Sequence, residues 1–132
     1  MNISKLDHIG IAVADLDQAI ERFKQLGFLF EQRTRMEDMG LEIAFFAAGE
    51  SKIELLANLR EDSSIGKHLA ARGEGIQHLC FAADDFDGAL EEYKQKGFRV
   101  LGKPVIGAEG KRVFFVHPKD SHRVLIEIIE KG

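Results

Sequence analysis

A chain of 132 residues with 45% hydrophobic and 30% charged residues is long enough to close a core and has a globular balance, which excludes disordered and fibrous classes. Its formal net charge of −4 argues against a general binder of nucleic acid or membrane surfaces, whose affinity would come from a basic face, but leaves room for a small anionic ligand. No apolar run approaches the roughly 20 residues of a membrane span, the N-terminus lacks a signal-peptide pattern, and the single cysteine, Cys80, permits no disulfide framework. A cytosolic protein with Cys80 buried and inert is the expectation.

Taken in order, Leu6 to Val13 is a short run of β-branched and small apolar residues that fits a buried strand. Asp15 is a suitable N-cap for the helix that follows, with Leu16, Ala19, Ile20 and Phe23 on one face and Gly27 as its stop. Strands are predicted over Phe28 to Arg35, Leu41 to Ala48 and Lys52 to Ala57, with an acidic loop, Met36 to Gly40, after the first. Ser63 or Ser64 caps a connector helix that ends at Gly73-Glu74-Gly75. Beyond it come a strand from Ile76 to Ala82, a helix from about Phe86 to Lys96, and strands over Phe98 to Leu101, Val113 to Val116 and Val124 to Ile129. Pro104 and Pro118 mark non-helical connections.

This order contains itself twice. Leu6-Asp7-His8-Ile9-Gly10 returns as Ile76-Gln77-His78-Leu79-Cys80, a shift of 78 − 8 = 70 residues. The same shift matches Asp15 to Asp85, Asp17 to Asp87, Ala19 to Ala89, Glu21 to Glu91, Gly27 to Gly97 and Phe28 to Phe98. Each half closes on a related strand, Ile53-Glu54-Leu55-Leu56 and Ile126-Glu127-Ile128-Ile129. The pattern is a tandem repeat of a βαβββ module. We expect one α+β domain over residues 1–132, with modules at about 4–58 and 74–132 and a helical connector at 59–73. Asp15, Asp17, Asp85 and Asp87 are read as helix-capping residues.

Two histidines and two glutamates thus occupy related positions. Imidazole and carboxylate are the ordinary ligands of a divalent first-row metal, and two of each would leave coordination positions open for substrate. A lone histidine in a strand is more often structural than a ligand. Glu54 and Glu127, however, stand in apolar strands, where an unpaired carboxylate is costly. The alternative is that both point outward from edge strands. His68, His117 and His122 have no repeat partner and read as surface or outer groups. Basic clusters stand at Arg33 with Arg35, Lys111-Arg112, and Lys119 with Arg123. The loop from Gly107 to Arg112 lacks P-loop spacing, and its basic pair is either a contact for a ligand's phosphates or a solvated turn.

The repeat, the connector from Glu61-Asp62-Ser63-Ser64-Ile65 to Gly73-Glu74-Gly75-Ile76-Gln77-His78, and Gly110-Lys111-Arg112-Val113-Phe114-Phe115-Val116-His117-Pro118-Lys119 ahead of Glu127 resemble the vicinal oxygen chelate family over nearly the whole chain. The resemblance implies paired βαβββ modules in a mixed sheet curled around one divalent metal, cobalt, nickel, manganese or zinc, held by His8, Glu54, His78 and Glu127. It further implies an isomerase acting on a small acyl-CoA: proton removal at the carbon between a thioester and a carboxylate, with a metal-stabilised enolate and Glu127 as both ligand and catalytic base. Phe45, Phe46, Phe114 and Phe115 are candidate walls, of which strand alternation lets only part face the site. The second acid/base is open: some family members carry a glutamate where this chain has Ile43, leaving Glu37, Asp38, Glu42 or a water. A lactoylglutathione lyase is the alternative activity, followed by a ring-cleaving dioxygenase or a non-catalytic binding protein. A homodimer is expected, because curved sheets leave edges to cover.

Overall fold

The computed structural model describes residues 2–131. The first module runs β1 (Ile3–Ala12), α1 (Leu16–Gln25), β2 (Leu29–Met36), a one-turn 3-10 segment (Glu37–Met39), β3 (Leu41–Ala48) and β4 (Ser51–Asn58). The connector helix α2 (Ser64–Arg72) leads to β5 (Gly75–Ala83), α3 (Phe86–Gln95), β6 (Val100–Ile106), β7 (Arg112–Val116), a second 3-10 turn (Pro118–Asp120) and β8 (Ile126–Glu130). Among the described residues no helix is long and apolar enough to cross a membrane.

Local chemistry explains these boundaries. Asp15 and Asp85, the repeat-related caps, accept hydrogen bonds from the N–H of Gln18 and Gly88, and Ser63 accepts from Gly66 in the same way. Gly27 and Gly97 follow α1 and α3 at φ 100° and 89°, the left-handed conformation that ends a helix cheaply only at glycine. Pro104 does not mark a connection: it lies inside β6, where the register with β7 shifts between Leu101 and Val105. An edge strand tolerates a residue without an N–H at such an irregularity. Pro118 opens a 3-10 turn, since its missing N–H is lost at no cost in a first helical position.

Two compact units form, and their division does not coincide with the sequence modules. Residues 8–77 make one, and residues 78–131 together with 2–7 make the other, so β1 contributes to both. In the unit His8–Gln77 the strand order is β2-β3-β4-β1, with β1 parallel to β4 and β3 antiparallel to its neighbours. In the other, the start of β1 is followed by β5-β8-β7-β6, with β5 parallel to β8. Ser4 Oγ donates to Ala82 O and Asp84 N–H to Asn2 O, which stitch that start of β1 to β5.

Each unit packs one sheet face on its helix. In the first, Leu16 and Ile20 of α1 meet Ala44, Phe46, Leu55 and Ala57. Phe23 and Phe30 add ring contacts to Phe46 at 5.8 and 5.4 Å. In the second, Phe86 and Ala89 of α3 meet Phe114, Val116 and Ile128. A guanidinium ties each helix to its sheet. Arg33 of β2 bonds Glu42 of β3 through Nε (2.9 Å) and Nη2 (3.1 Å) and Asp17 of α1 through Nη1. Arg112 of β7 bonds Glu130 of β8 (3.1 Å) and Asp87 of α3 (3.0 and 3.2 Å), and lies 4.6 Å from the centre of the Phe86 ring. Asp17 and Asp87 are therefore not explained by capping: two residues after the caps Asp15 and Asp85, each is bonded by an arginine instead.

Two predictions follow from this local geometry. A Cβ at Gly66 would collide with the backbone oxygens of Glu61 and Arg60, the latter at 2.8 Å. Gly66→Ala should destabilise the chain by about 1–3 kcal/mol in urea unfolding, although propensity alone would favour alanine by about 1 kcal/mol; a stabilised variant would refute the packing argument. Asp120, bound through both oxygens to Arg99 (2.7 and 3.1 Å), has its carboxyl held down at about 2 from an ordinary 3.8 by that guanidinium. A folded-state value below the unfolded one stabilises above the unfolded value and is lost as pH falls through the folded one. The stability gap between parent and Asp120→Asn should accordingly be constant near neutrality and close between pH 4 and 2; a gap independent of pH would contradict the clamp.

Candidate active site

Both glutamates sit in interior strands of their own units, so neither points outward from an edge. β4 lies between β3 and β1, and β8 between β7 and β5. Glu54 is 4% exposed and Glu127 7%, which overturns the outward-facing alternative. Their cross-strand neighbours repeat at the same shift as the sequence. Glu54 is opposite Gly10 on β1 and Phe45 on β3; Glu127 is opposite Cys80 on β5 and Phe115 on β7. Residues directly opposite share a sheet face, and two residues back along β1 and β5 the alternation returns to that face at His8 and His78. The outcome is one contact made twice: His8 Nδ1 lies 3.1 Å from Glu54 Oε2, and His78 Nε2 lies 3.1 Å from Glu127 Oε1. All four side chains are buried.

This face is the one turned away from α1 and α3. Phe45 and Phe115 lie on it, whereas Phe46 and Phe114 belong to the helix-packed cores. Around Glu127 the same face continues as Cys80, Ala82, Val113 and Ile129, with Phe115 packed against them. Phe115 also meets His78 edge-on, ring centres 6.1 Å apart. Cys80 is a free, buried thiol. An apolar surround of this kind weakens competing hydration and strengthens any charge interaction within it.

The donor set of each unit suits a divalent cation. Two ligands about 2.1 Å from one ion and at right angles to each other are about 3.0 Å apart, close to the 3.1 Å observed between nitrogen and oxygen in each pair. Mixed nitrogen and oxygen donors fit cobalt, nickel, manganese or zinc.

Of the other acids, Glu42 shares its face with the arginine side. Its hydrogen bonds from Arg33 hold its carboxyl below the usual range, which weakens it as a base. Ile43, opposite Leu56 and on the face of Glu54, is buried and offers no proton. Glu37 is exposed and paired with Arg35 at 2.8 Å, and Asp38 lies in the same 3-10 turn. Glu109, in the turn between β6 and β7, was not singled out by sequence; it is half-buried and one carboxylate oxygen is shielded from solvent. Nothing in a Gly-Ala-Glu-Gly turn signals that burial. His117 accepts the Lys119 N–H through Nδ1 (3.0 Å), and His122 is exposed. Arg112 is committed to Asp87 and Glu130, which leaves it a poor candidate for a phosphate contact.

Residues 7–115 match the family model described as Glyoxalase/Bleomycin resistance protein/Dioxygenase superfamily. Ethylmalonyl-CoA/methylmalonyl-CoA epimerase of Cereibacter sphaeroides is 38% identical over 130 residues, covering 96% of this chain and 97% of the relative. Human mitochondrial methylmalonyl-CoA epimerase is 37% identical, over 96% of this chain and 74% of its own. A Streptomyces coelicolor methylmalonyl-CoA epimerase variant, solved in complex with 2-nitronate-propionyl-CoA, is similar with a TM-score of 0.91 at 37% identity, covering 99% of both chains. The chain belongs to the glyoxalase/bleomycin resistance protein/dioxygenase superfamily, with close likeness to its methylmalonyl-CoA epimerases.

Proposed function

We propose that this protein is a methylmalonyl-CoA epimerase that interconverts the 2R and 2S thioesters, with one divalent metal ion held by His8, Glu54, His78 and Glu127. The observation that carries the reading is the doubled histidine–glutamate contact, at the same register in both halves of a chain similar to such epimerases from end to end. When bound, the ion would polarise the carbonyl oxygens of the substrate and favour the negative charge that develops on them.

The chain's own residues account for the rest of the chemistry. The Glu127 carboxylate, buried on an apolar face and 3.1 Å from His78, is the group assigned to take the C2 proton. Phe45 and Phe115, opposite the carboxylates on the same face, would lower the polarity around them. Return of a proton on the opposite face needs a second donor, and with Glu42 held by Arg33 that role falls to Glu37, Asp38 or a water. The proposal includes a single domain over residues 1–132, of modules at about 4–58 and 74–132 with the connector 59–73. It includes a homodimer, supported by exposed Leu29 on edge strand β2 and by exposed Val105 and Ile106 on edge strand β6. It also includes a cytosolic location.

The experiment is proton exchange at C2 of methylmalonyl-CoA in deuterated water. Glu127→Gln keeps an oxygen ligand and loses the base, so exchange should fall by roughly 10²–10⁴-fold, the usual worth of a positioned acid/base. Glu54→Gln should keep substantial activity, because an amide oxygen still coordinates. Equal, small losses in both would remove Glu127 as the base. Glu42→Gln should cost stability through Arg33 and leave exchange within about three-fold, the scale of a change that touches no transition-state contact; a loss as large as that of Glu127→Gln would return Glu42 to the mechanism.

A further inference from the structure

The reaction assigned above needs a proton donor on the side of C2 opposite Glu127, and the first unit offers poor ones. Glu37 is exposed and bonded by Arg35 Nε at 2.8 Å, and Asp38 is exposed in the same turn. A carboxylate in open solvent is neither fixed relative to a reacting carbon nor kept from water. The second unit, which contains Glu127, carries a different acid. Glu109 stands at the tip of the hairpin turn between β6 and β7, where side chains ordinarily face solvent, yet it is half-buried and its Oε2 is shielded. Glu54 Oε2 and Glu127 Oε1, the oxygens that face the two histidines, are shielded in the same way.

The turn is bent toward the face of Glu127. Gly107 N–H donates to Lys111 O (2.9 Å) and Gly110 N–H to Gly107 O (3.1 Å), which leaves Ala108 and Glu109 as the central residues, closed by Gly110 at φ 75°. A Cβ built on Gly107 would lie 3.4 and 3.6 Å from the two methyl carbons of Val113, so the base of the turn rests on that side chain. Val113 is on the site face: it is opposite Ile129, two residues along β8 from Glu127, and is buried with Cys80, Ala82 and Ile129. Alternate residues of a strand are about 7 Å apart, and that is the offset along the face from the Phe115–Glu127 pair to the Val113–Ile129 pair beneath the turn. Arg112 goes the other way, to Asp87 of α3 and to Glu130. The related turn of the first unit ends at Gly40, 110 − 40 = 70 residues earlier, with φ 68°, and leaves Glu37 and Asp38 exposed. A left-handed glycine at this place does not by itself turn an acid inward.

We propose that Glu109 is the second acid/base of the epimerisation, acting on the face of C2 opposite Glu127. This deepens the reading above and rests on it for the substrate, an acyl-CoA whose C2 also bears a carboxylate. Glu127 rises from the sheet and Glu109 belongs to the turn bent over the same face, so a planar carbon between them has one carboxyl group on either side. Anionic Glu127 takes the C2 proton, and the electron pair of that C–H bond moves into the enolate. Protonated Glu109 gives its proton to the other face of C2, the enolate pair forms the new C–H bond, and Glu109 is left anionic. The opposite epimer runs the same steps in reverse, and proton exchange with solvent resets the pair.

The test incubates the 2R and 2S thioesters separately in deuterated water with Glu109→Gln, an isosteric change that keeps the packing of the turn. Inversion should fall by roughly 10²–10⁴-fold from either epimer, the usual worth of a positioned acid/base. Exchange at C2 without inversion should persist for the one epimer whose proton faces Glu127 and be lost for the other. Glu109→Asp, which restores a carboxyl group on a shorter arm, should recover part of the inversion, and the metal content of both variants in equilibrium dialysis should match the parent's. Inversion within about three-fold of the parent's would overturn the proposal. So would loss of exchange from both epimers alike, or loss of metal together with inversion, which would make Glu109 a ligand or a prop. Failure of the epimerase reading looks different: a parent that neither exchanges nor inverts C2 removes that reading and this role together, whereas an active parent beside an equally active Glu109→Gln removes the role of Glu109 alone.

Discussion

Burying a carboxylate inside an apolar strand costs several kcal/mol unless a cation or a donor set faces it, and this chain does so twice. Glu54 and Glu127 are each surrounded by the hydrophobic strands that a sheet core requires, and each is met by a histidine from the neighbouring parallel strand at 3.1 Å. Much else in each unit serves that contact. The parallel pairing of β1 with β4 and of β5 with β8 sets the register, and a slip of one residue would turn the histidine to the helix side. The βαβββ connection is what makes the first and last strands of a module parallel neighbours, because α1 or α3 and the intervening hairpin occupy the crossover.

The helix side carries the stability that such a site consumes. Phe46 and Phe114, one residue along from the site-facing Phe45 and Phe115, fill the two helix-packed cores. Arg33 and Arg112 cross from sheet to helix from different strands of the repeat, β2 and β7, yet each bridges a strand carboxylate and the aspartate two residues after a helix cap. Holding Glu42 in this way has a functional consequence: the carboxylate adjacent in sequence to the site face is locked on the opposite face and kept anionic.

The strands other than β6, which runs Val100–Ile106 and not Phe98 to Leu101, the three helices and their caps were legible in the sequence because local chemistry specifies them: Asp15, Ser63 and Asp85 cap, Gly27 and Gly97 stop, and β3 falls over Leu41–Ala48 as the apolar run predicts. The four residues of the proposed site stood out only through the repeat, since each alone is ambiguous. What escaped depends on tertiary partners. Pro104 reads as a breaker until β6 is known to be an edge strand with an irregular register. Asp17 and Asp87 look like capping residues until Arg33 and Arg112 arrive from 16 and 25 residues away. The burial of Glu109 and the left-handed pair His122 and Arg123 leave no mark in composition or periodicity.

The proposed function assigns one divalent ion to His8, Glu54, His78 and Glu127 rather than one ion to each pair. Metal stoichiometry after equilibrium dialysis, on the parent and on His8→Ala and His78→Ala separately, tests it. One ion per chain in the parent and close to none in either variant is the predicted result, because each substitution removes a ligand from the same ion. Two ions per chain in the parent, or one full ion remaining in either variant, would contradict it.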